Sequence, residues 1–275
     1  MPVISTNNAA NSALNLLNNN TTNEVELVSQ LASGSRIIQA KDDASGLAIG
    51  VQLQSYTTVF AQDSINVSQG KSILQSADGA LAQISNVLQR LEALATEAAS
   101  GQVTNTQRSQ DINTEYTQLK IEITSIASST TYAGQTLLSG SFLSNVKFLV
   151  GTNSTNFLTV SVAGVTAAGL LGSSGSTVST AATALSAVAA LGSAINSLAA
   201  HRAKVGAFEA QFDFSSQAIT SAGQYTQAGS SVLLDADVAQ VKTKLSSTDV
   251  LTQAAVASLT QASQLPQELL RLIQA

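Results

Sequence analysis

Apolar residues recur along this chain in alternating steps of four and three, over stretches much longer than an ordinary globular helix. The longest begins at Ile49 and runs through Leu53, Tyr56, Phe60, Val67, Gly70, Leu74, Ala77, Leu81, Ile84, Leu88, Leu91, Ala95 and Ala98. A heptad pattern lays one seam along one helix face, and keeping it for about fifty residues predicts a rod roughly 75 Å long. Such a rod needs partners along its whole length. Asp63 is the one clear violation, a polar residue at a seam position of the kind that sets register. Small residues at Gly70, Ala77, Ala95 and Ala98 let a neighbour approach closely. Each buried leucine contributes about 1.5–3 kcal/mol.

After a break at residues 100–107 (SGQVTNTQ), Ile112, Tyr116, Leu119, Ile123 and Ile126 keep the same spacing, which predicts a shorter helix folded back antiparallel on the first. A third rod is predicted from Ala184, Val188, Leu191, Ile195, Leu198, Val205, Phe208, Phe212 and Ile219, with a stutter at residues 202–208. The two prolines, Pro2 and Pro266, lie near the ends and interrupt none of these. Between the helices, residues 146–150 and 157–162 are β-rich runs around GTNSTN and predict a hairpin, the only strand signal in the chain. The fold class is therefore mainly α: a long antiparallel coiled-coil-like bundle formed by the N- and C-terminal parts, with a small β-hairpin region in the middle.

Composition supports this reading. Only 4% of residues are aromatic and there is no tryptophan, while 44% are hydrophobic, which suits close helix-on-helix contact in one large or two small domains. The net charge of −5 comes with scattered lysines and arginines, so the basic stripe that nucleic acid or an anionic membrane would need is missing. There is no run of eighteen apolar residues and no secretory-type N-terminus, so neither membrane insertion nor Sec export is expected. Without cysteine there are no disulfides or thiol metal sites.

Charge is also missing locally. Residues 148–200 carry no charged side chain and form a Ser/Thr-rich outer face, and residues 1–23 and 250–267 carry none either. End helices of that kind have no solubilising face. They are expected to bury against each other and against copies of the chain, and to be loose before assembly.

Candidate chemistry is sparse. Gly34 is placed to cap a helix in the left-handed region, and Asp42 or Asp43 to cap the next. No further carboxylate at ligand spacing joins those two aspartates as a metal site. Gly70-Lys71-Ser72 imitates the end of a phosphate loop but lies inside a heptad helix, with Ile65 where the first glycine should be. His201 is the only histidine, beside Arg202 and Lys204, and has no partner for a triad or a two-histidine metal site; it reads as a solvated or interface position. Glu115 and Glu122 share a helix face as ordinary solvated charges. No cofactor and no enzymatic activity are expected.

Two end segments, LASGSRIIQAKDDASGLAIG at 31–50 and SQLPQELLRLI at 263–273, together with DGAL at 78–81, NVLQR at 86–90 and YAGQTLL at 132–138, resemble bacterial flagellin in order and spacing. The resemblance spans about residues 3–140 and 180–273 and misses only the middle. It implies a structural subunit that polymerises with itself into the flagellar filament, secreted and extracellular after type III export, with an export chaperone and cap and junction proteins as partners. On that pattern, residues 1–33 with 241–275 form inner-core helices, 34–46 and 232–240 spoke connectors, 47–138 with 177–231 the bundle, and 139–176 the hairpin and outer region. Arg36, Lys41, Asp42, Asp43, Asp235 and Asp237 match the spokes. Leu14, Leu17, Val28, Leu31, Leu251, Ala254, Leu259, Leu265 and Leu269 match the inner core. Leu88, Arg90, Leu94 and Glu115 match a face read by Toll-like receptor 5, although Glu92 and Ala93 depart from the usual pair there. A hook-filament junction protein shares the N-terminal signature but lacks YAGQTLL and the QLPQELL ending. A flagellin-like surface adhesin or glycan-binding protein would instead use the uncharged residues 152–183.

Overall fold

The computed structural model describes residues 7–139, 143, 145–172, 175 and 177–274, with the side chains of 265–270 and 272–274 left aside. In chain order the elements are α1 (Asn8–Ser33), α2 (Ala44–Ala99), the short α3 (Asn105–Gln107) leading into a π-helical turn (Arg108–Ile112), α4 (Asn113–Ser129), β1 (Thr131–Tyr132), β2 (Gln135–Thr136), β3 (Val146–Leu149), β4 (Phe157–Val160), α5 (Ala167–Leu171), α6 (Ala181–Leu234) and α7 (Val238–Gln274). They form two compact units, one from Thr58–Gln224 and one from Met1–Thr57 with Tyr225–Ala275, and α2 and α6 contribute to both.

The first unit is a rod. Leu74, Ala77, Leu81, Ile84, Leu88, Leu91, Ala95 and Ala98 of α2 are wholly buried, in the three-four steps read from the sequence. Tyr116, Ile123 and Ala127 of α4 and Ala184, Ala187, Leu191, Ala194, Leu198, Val205 and Phe212 of α6 complete the core. Bonds from α2 to progressively earlier residues of α6 set the pair antiparallel: Lys71 Nζ to Asp213 Oδ1 at 2.6 Å, then Asp78 accepting from Arg202 Nε and Nη2 at 2.9 and 3.1 Å. Its hydrogen bonds to Asp78, followed by the Asp78 charge, raise the pKa of the Arg202 guanidinium. By composition α6 is long and apolar enough to cross a membrane, and in this fold its alanines and leucines supply one side of the rod's core.

The turn after α2 is closed by a residue that periodicity does not flag. Arg108 is buried, and its guanidinium donates to the carbonyl of Ala98, to those of Ser100 and Val103 at 2.9 and 3.0 Å, and to Asn105 Oδ1 at 2.7 Å. A cation is favourable there because the last carbonyls of a helix lack intrahelical partners and carry its negative pole. Thr104 and Gln107 then form a capping box that starts the next helix.

The middle of the chain is tied to the rod at several points. Hairpin β3–β4 pairs Val146 with Val160 and Leu149 with Phe157. Phe148 meets Phe212 edge-on at 5.2 Å, and Asn66 Nδ2 donates to Leu149 O at 3.2 Å. Tyr116 reaches Gly175 O at 2.9 Å, and burial pushes its phenol up to about 12.

Three expectations need correction. The strand signal at 146–162 is not the only one: β1 and β2 form a second hairpin around YAGQ, with Ala133 and Gly134 at φ 48° and 80°, as the right-handed twist of a two-residue turn demands. The α6 seam has no stutter. It runs 184, 187, 191, 194, 198, 201, 205, 208, 212, so small Ala187 and Ala194 take the inner positions and push Val188 and Ile195 to the flanks, and His201 becomes a seam residue. Ile49 is 51% exposed, because the seam at that end runs through Gly46 and Gly50.

In the second unit α1 and α7 pair antiparallel, with Asn7 Nδ2 donating to Ala262 O at 2.7 Å at one end and Ala236 N donating to Gly34 O at 2.9 Å at the other. Their seam is Ala13, Leu17, Asn20, Glu24, Leu27 and Leu31 against Val241, Leu245, Thr248, Thr252, Ala255, Leu259 and Ala262. Of these only Ala13, Val241, Ala255 and Ala262 are fully buried.

Candidate functional site

The connector between α1 and α2 is fixed by its own polar groups. Gly34 ends α1 in the left-handed region at φ 69°, its N–H donating to Gln30 O. Ser35 then bridges to Asp235, and Arg36 turns onto the end of α6: its N–H donates to Leu234 O at 2.6 Å, and its Nε and Nη2 to Leu233 O at 3.1 and 2.8 Å. Arg36 Nη2 also lies 3.6 Å from Asp43 Oδ2. Arg36 therefore supplies a cation to the carbonyl end of α6.

The two neighbouring aspartates do different work. Asp42 Oδ2 accepts from Ile38 N and Gln39 N at 3.2 and 2.8 Å and holds the turn. Asp43 Oδ1 accepts from Gly46 N at 2.7 Å and is the N-cap of α2. Asp237 repeats the motif on the return strand, accepting from Ala239 N and Gln240 N to start α7. Lys41 is exposed beside a hollow of about 140 Å³ shared with Glu26, Ile38 and Asp42. Thus Arg36, Asp43 and Asp235 meet at one junction, while Asp42, Lys41 and Asp237 serve separate turns.

The end-helix residues divide into two sets. Leu17, Leu31 and Leu259 are half-buried in the α1–α7 seam. Leu14, Val28, Leu251 and Ala254 face outward, joined by Leu16 and Val250, which are 60% and 63% exposed, and by Val25 and Val256. The side chains of Leu265 and Leu269 lie outside the described residues. The pair thus exposes apolar side chains outside its seam as well as holding them within it.

The proposed receptor face is largely closed. Leu88 and Leu94 are 0% and 2% exposed, since both lie on the rod's core side. Arg90 and Glu115 stay on the surface and bind each other, with Nε and Nη2 at 2.9 and 2.7 Å from Glu115 Oε1. Sequence reasoning missed the residues that clamp loops, Arg108, Asn66 and Asn113, whose Oδ1 accepts from Val178 N at 3.0 Å. Their partners are backbone groups far away in the sequence or in turns, and these leave no periodic trace.

One unit cored on a long heptad seam and another built on a helix pair with exposed apolar groups define a mainly α-helical protein of coiled-coil-like packing. Residues 4–142 match the model of the bacterial flagellin N-terminal helical region, and residues 188–273 that of the C-terminal helical region. The flagellar filament 30.7 kDa core protein of Treponema maltophilum is 31% identical over 96% of this chain and 96% of that protein. Flagellin of Bacillus subtilis (strain 168) is 30% identical over 98% of this chain and 99% of its own length. The crystal structure of Bacillus cereus flagellin, 27% identical, superposes with a TM-score of 0.50, covering 56% of this chain and 88% of that one. The chain belongs to the bacterial flagellin family. It is a structural subunit of the flagellar filament, located in the flagellum and polymerising with copies of itself.

Proposed function

We propose that this subunit polymerises through its end helices, with residues 1–33 and 241–275 as the inner layer, 34–46 and 232–240 as spokes, and the rod at 47–138 and 177–231 outside them. The observation that carries the reading is the outer apolar set of Leu14, Leu16, Val28, Val250 and Leu251, on helices in which residues 8–23 and 250–267 carry no charged side chain. One chain leaves these groups in water, and a neighbouring copy would cover them at about 25 cal/mol per Å² of apolar surface removed. Arg36, Lys41, Asp42, Asp43, Asp235 and Asp237 shape the spokes that set the angle at which copies meet. The protein is not an enzyme and does not insert into a membrane. It reaches the extracellular side by the flagellar type III route, with an export chaperone, and joins the filament beneath a cap and beyond junction proteins. A receptor of the Toll-like receptor 5 kind would find Arg90 and Glu115 on its surface, with Leu88 and Leu94 inside.

The test is electron microscopy of the purified full chain after salting out, beside chains lacking residues 1–23 or 250–275. Filaments from the full chain alone support the reading. Filaments from either truncated chain would overturn it.

A further inference from the structure

We propose that Asp63 is a proton-gated opening point in the rod: neutral, it lets the α2–α6 seam close between Phe60 and Val67, and ionised, it opens that stretch locally. From Val67 to Ala98 every seam position of α2 is filled by an apolar residue or glycine and is buried. Asp63 is the next position toward the N-terminus and is just as buried, at 2% exposure, with Oδ2 enclosed and without a hydrogen-bond partner. Gly70 faces Phe212 and Phe60 meets Gly223, so in this antiparallel pair Asp63 falls opposite the stretch that holds Ser215, Ser216 and buried Ile219. Half-buried hydroxyls lie along that stretch, yet Oδ2 bonds to none of them.

Among the described residues, no charged group relieves the site. Between Asp43 and Lys71, α2 holds no ionisable side chain other than Tyr56 and Asp63, and Lys71 is bound to Asp213. From Phe214 to Leu234, α6 holds only Tyr225, and the hairpin brings Lys147, which sits over the Phe157 ring at 5.8 Å. Burial alone accordingly holds the carboxyl above its ordinary range. A buried carboxylate with an enclosed, unpartnered oxygen has two ways to lower its free energy: it takes up a proton, or the packing around it parts and admits water. The second has a structural consequence, because Asn66, one turn on, holds the Leu149 carbonyl, and opening would loosen one of the ties between hairpin β3–β4 and the rod.

The experiment is hydrogen exchange read by mass spectrometry on the full chain as monomer, from pH 8 to pH 4, corrected for the intrinsic pH dependence of exchange. Peptides covering residues 58–67, 146–160 and 212–223 should gain protection as pH falls, by about tenfold for each unit the folded pKa lies above the free one. In a His201→Gln background, which removes the opposing acid-dependent loss at His201, the gain should persist, and adding Asp63→Asn or Asp63→Leu should abolish it. No gain of protection on acidification in the His201→Gln chain, or a gain that survives when Asp63→Asn is added to it, would overturn the proposal.

Discussion

The ring of Phe212 fills the space that a side chain at Gly70 would need: a Cβ built there would lie 2.2 Å from its Cε1 and 2.7 Å from its Cζ. Phe148 packs edge-on against the same ring, so the ring cannot swing aside without disturbing the hairpin. Gly70→Ala gains about 1 kcal/mol of helix propensity but overpacks the seam, at a cost of about 1–3 kcal/mol. The rod should lose stability on balance, read as a lower urea midpoint. Phe212→Ala should cost more, about 3–5 kcal/mol, through the cavity it leaves.

Asp43 and Gly46 should be coupled. Asp43→Ala removes the α2 cap at a cost of about 1 kcal/mol. Gly46→Ala would set a Cβ 2.2 Å from Asp43 Oδ2 and drive the carboxylate off the helix end, so it should destabilise too. Once Asp43 is alanine that clash is gone, and Gly46→Ala should then stabilise by up to about 1 kcal/mol. A double-mutant cycle from thermal melts checks the change of sign, and simple additivity would contradict it.

His201 makes the rod sensitive to acid. Its Nδ1 is buried without a partner, and desolvation, then the charge of Lys204, lowers its pKa below 6.5. The unfolded chain therefore binds the proton more readily than the folded one. Stability is highest above pH 6.5 and falls as pH drops from 6.5 toward the folded pKa. His201→Gln should remove that part of the loss in urea titrations between pH 7.5 and 5. Asp63 acts in the opposite sense, since its folded pKa is raised and the penalty of its charge disappears on acidification.

These cases show what the sequence carried and what it did not. The α2 seam was legible to the residue from Val67 to Ala98, because hydrophobic spacing reports directly which face of a helix is buried. On α6 the same method slipped by one position. Alanine weighs little beside valine and isoleucine in a pattern, yet Ala187 and Ala194 fit the narrow gap and the bulkier Val188 and Ile195 do not. Gly34 and the Asp43 cap were legible from local chemistry. The Arg36 contacts to Leu233 and the Arg108 clamp were not, since they depend on carbonyls brought near by the fold. On the end helices, uncharged composition pointed to burial without separating the seam from the outer face.

Neighbouring alanines on α7 separate those two faces. Ala255 is buried in the seam against α1, whereas Ala254 points outward on the same turn. Ala255→Asp would place a carboxylate between the paired helices, which costs several kcal/mol, roughly, even after relaxation, so α1 and α7 should separate in the free chain. Ala254→Asp leaves its carboxylate in water, and the monomer's melting curve should match the natural chain within about 0.5 kcal/mol. In the filament the same carboxylate would be covered by a neighbouring copy without a counter-charge, so polymerisation should fail. Circular dichroism melts of the monomers, with sedimentation after salting out, distinguish the two variants. If Ala254→Asp pellets as filaments like the natural chain, the outer apolar face is not where copies meet.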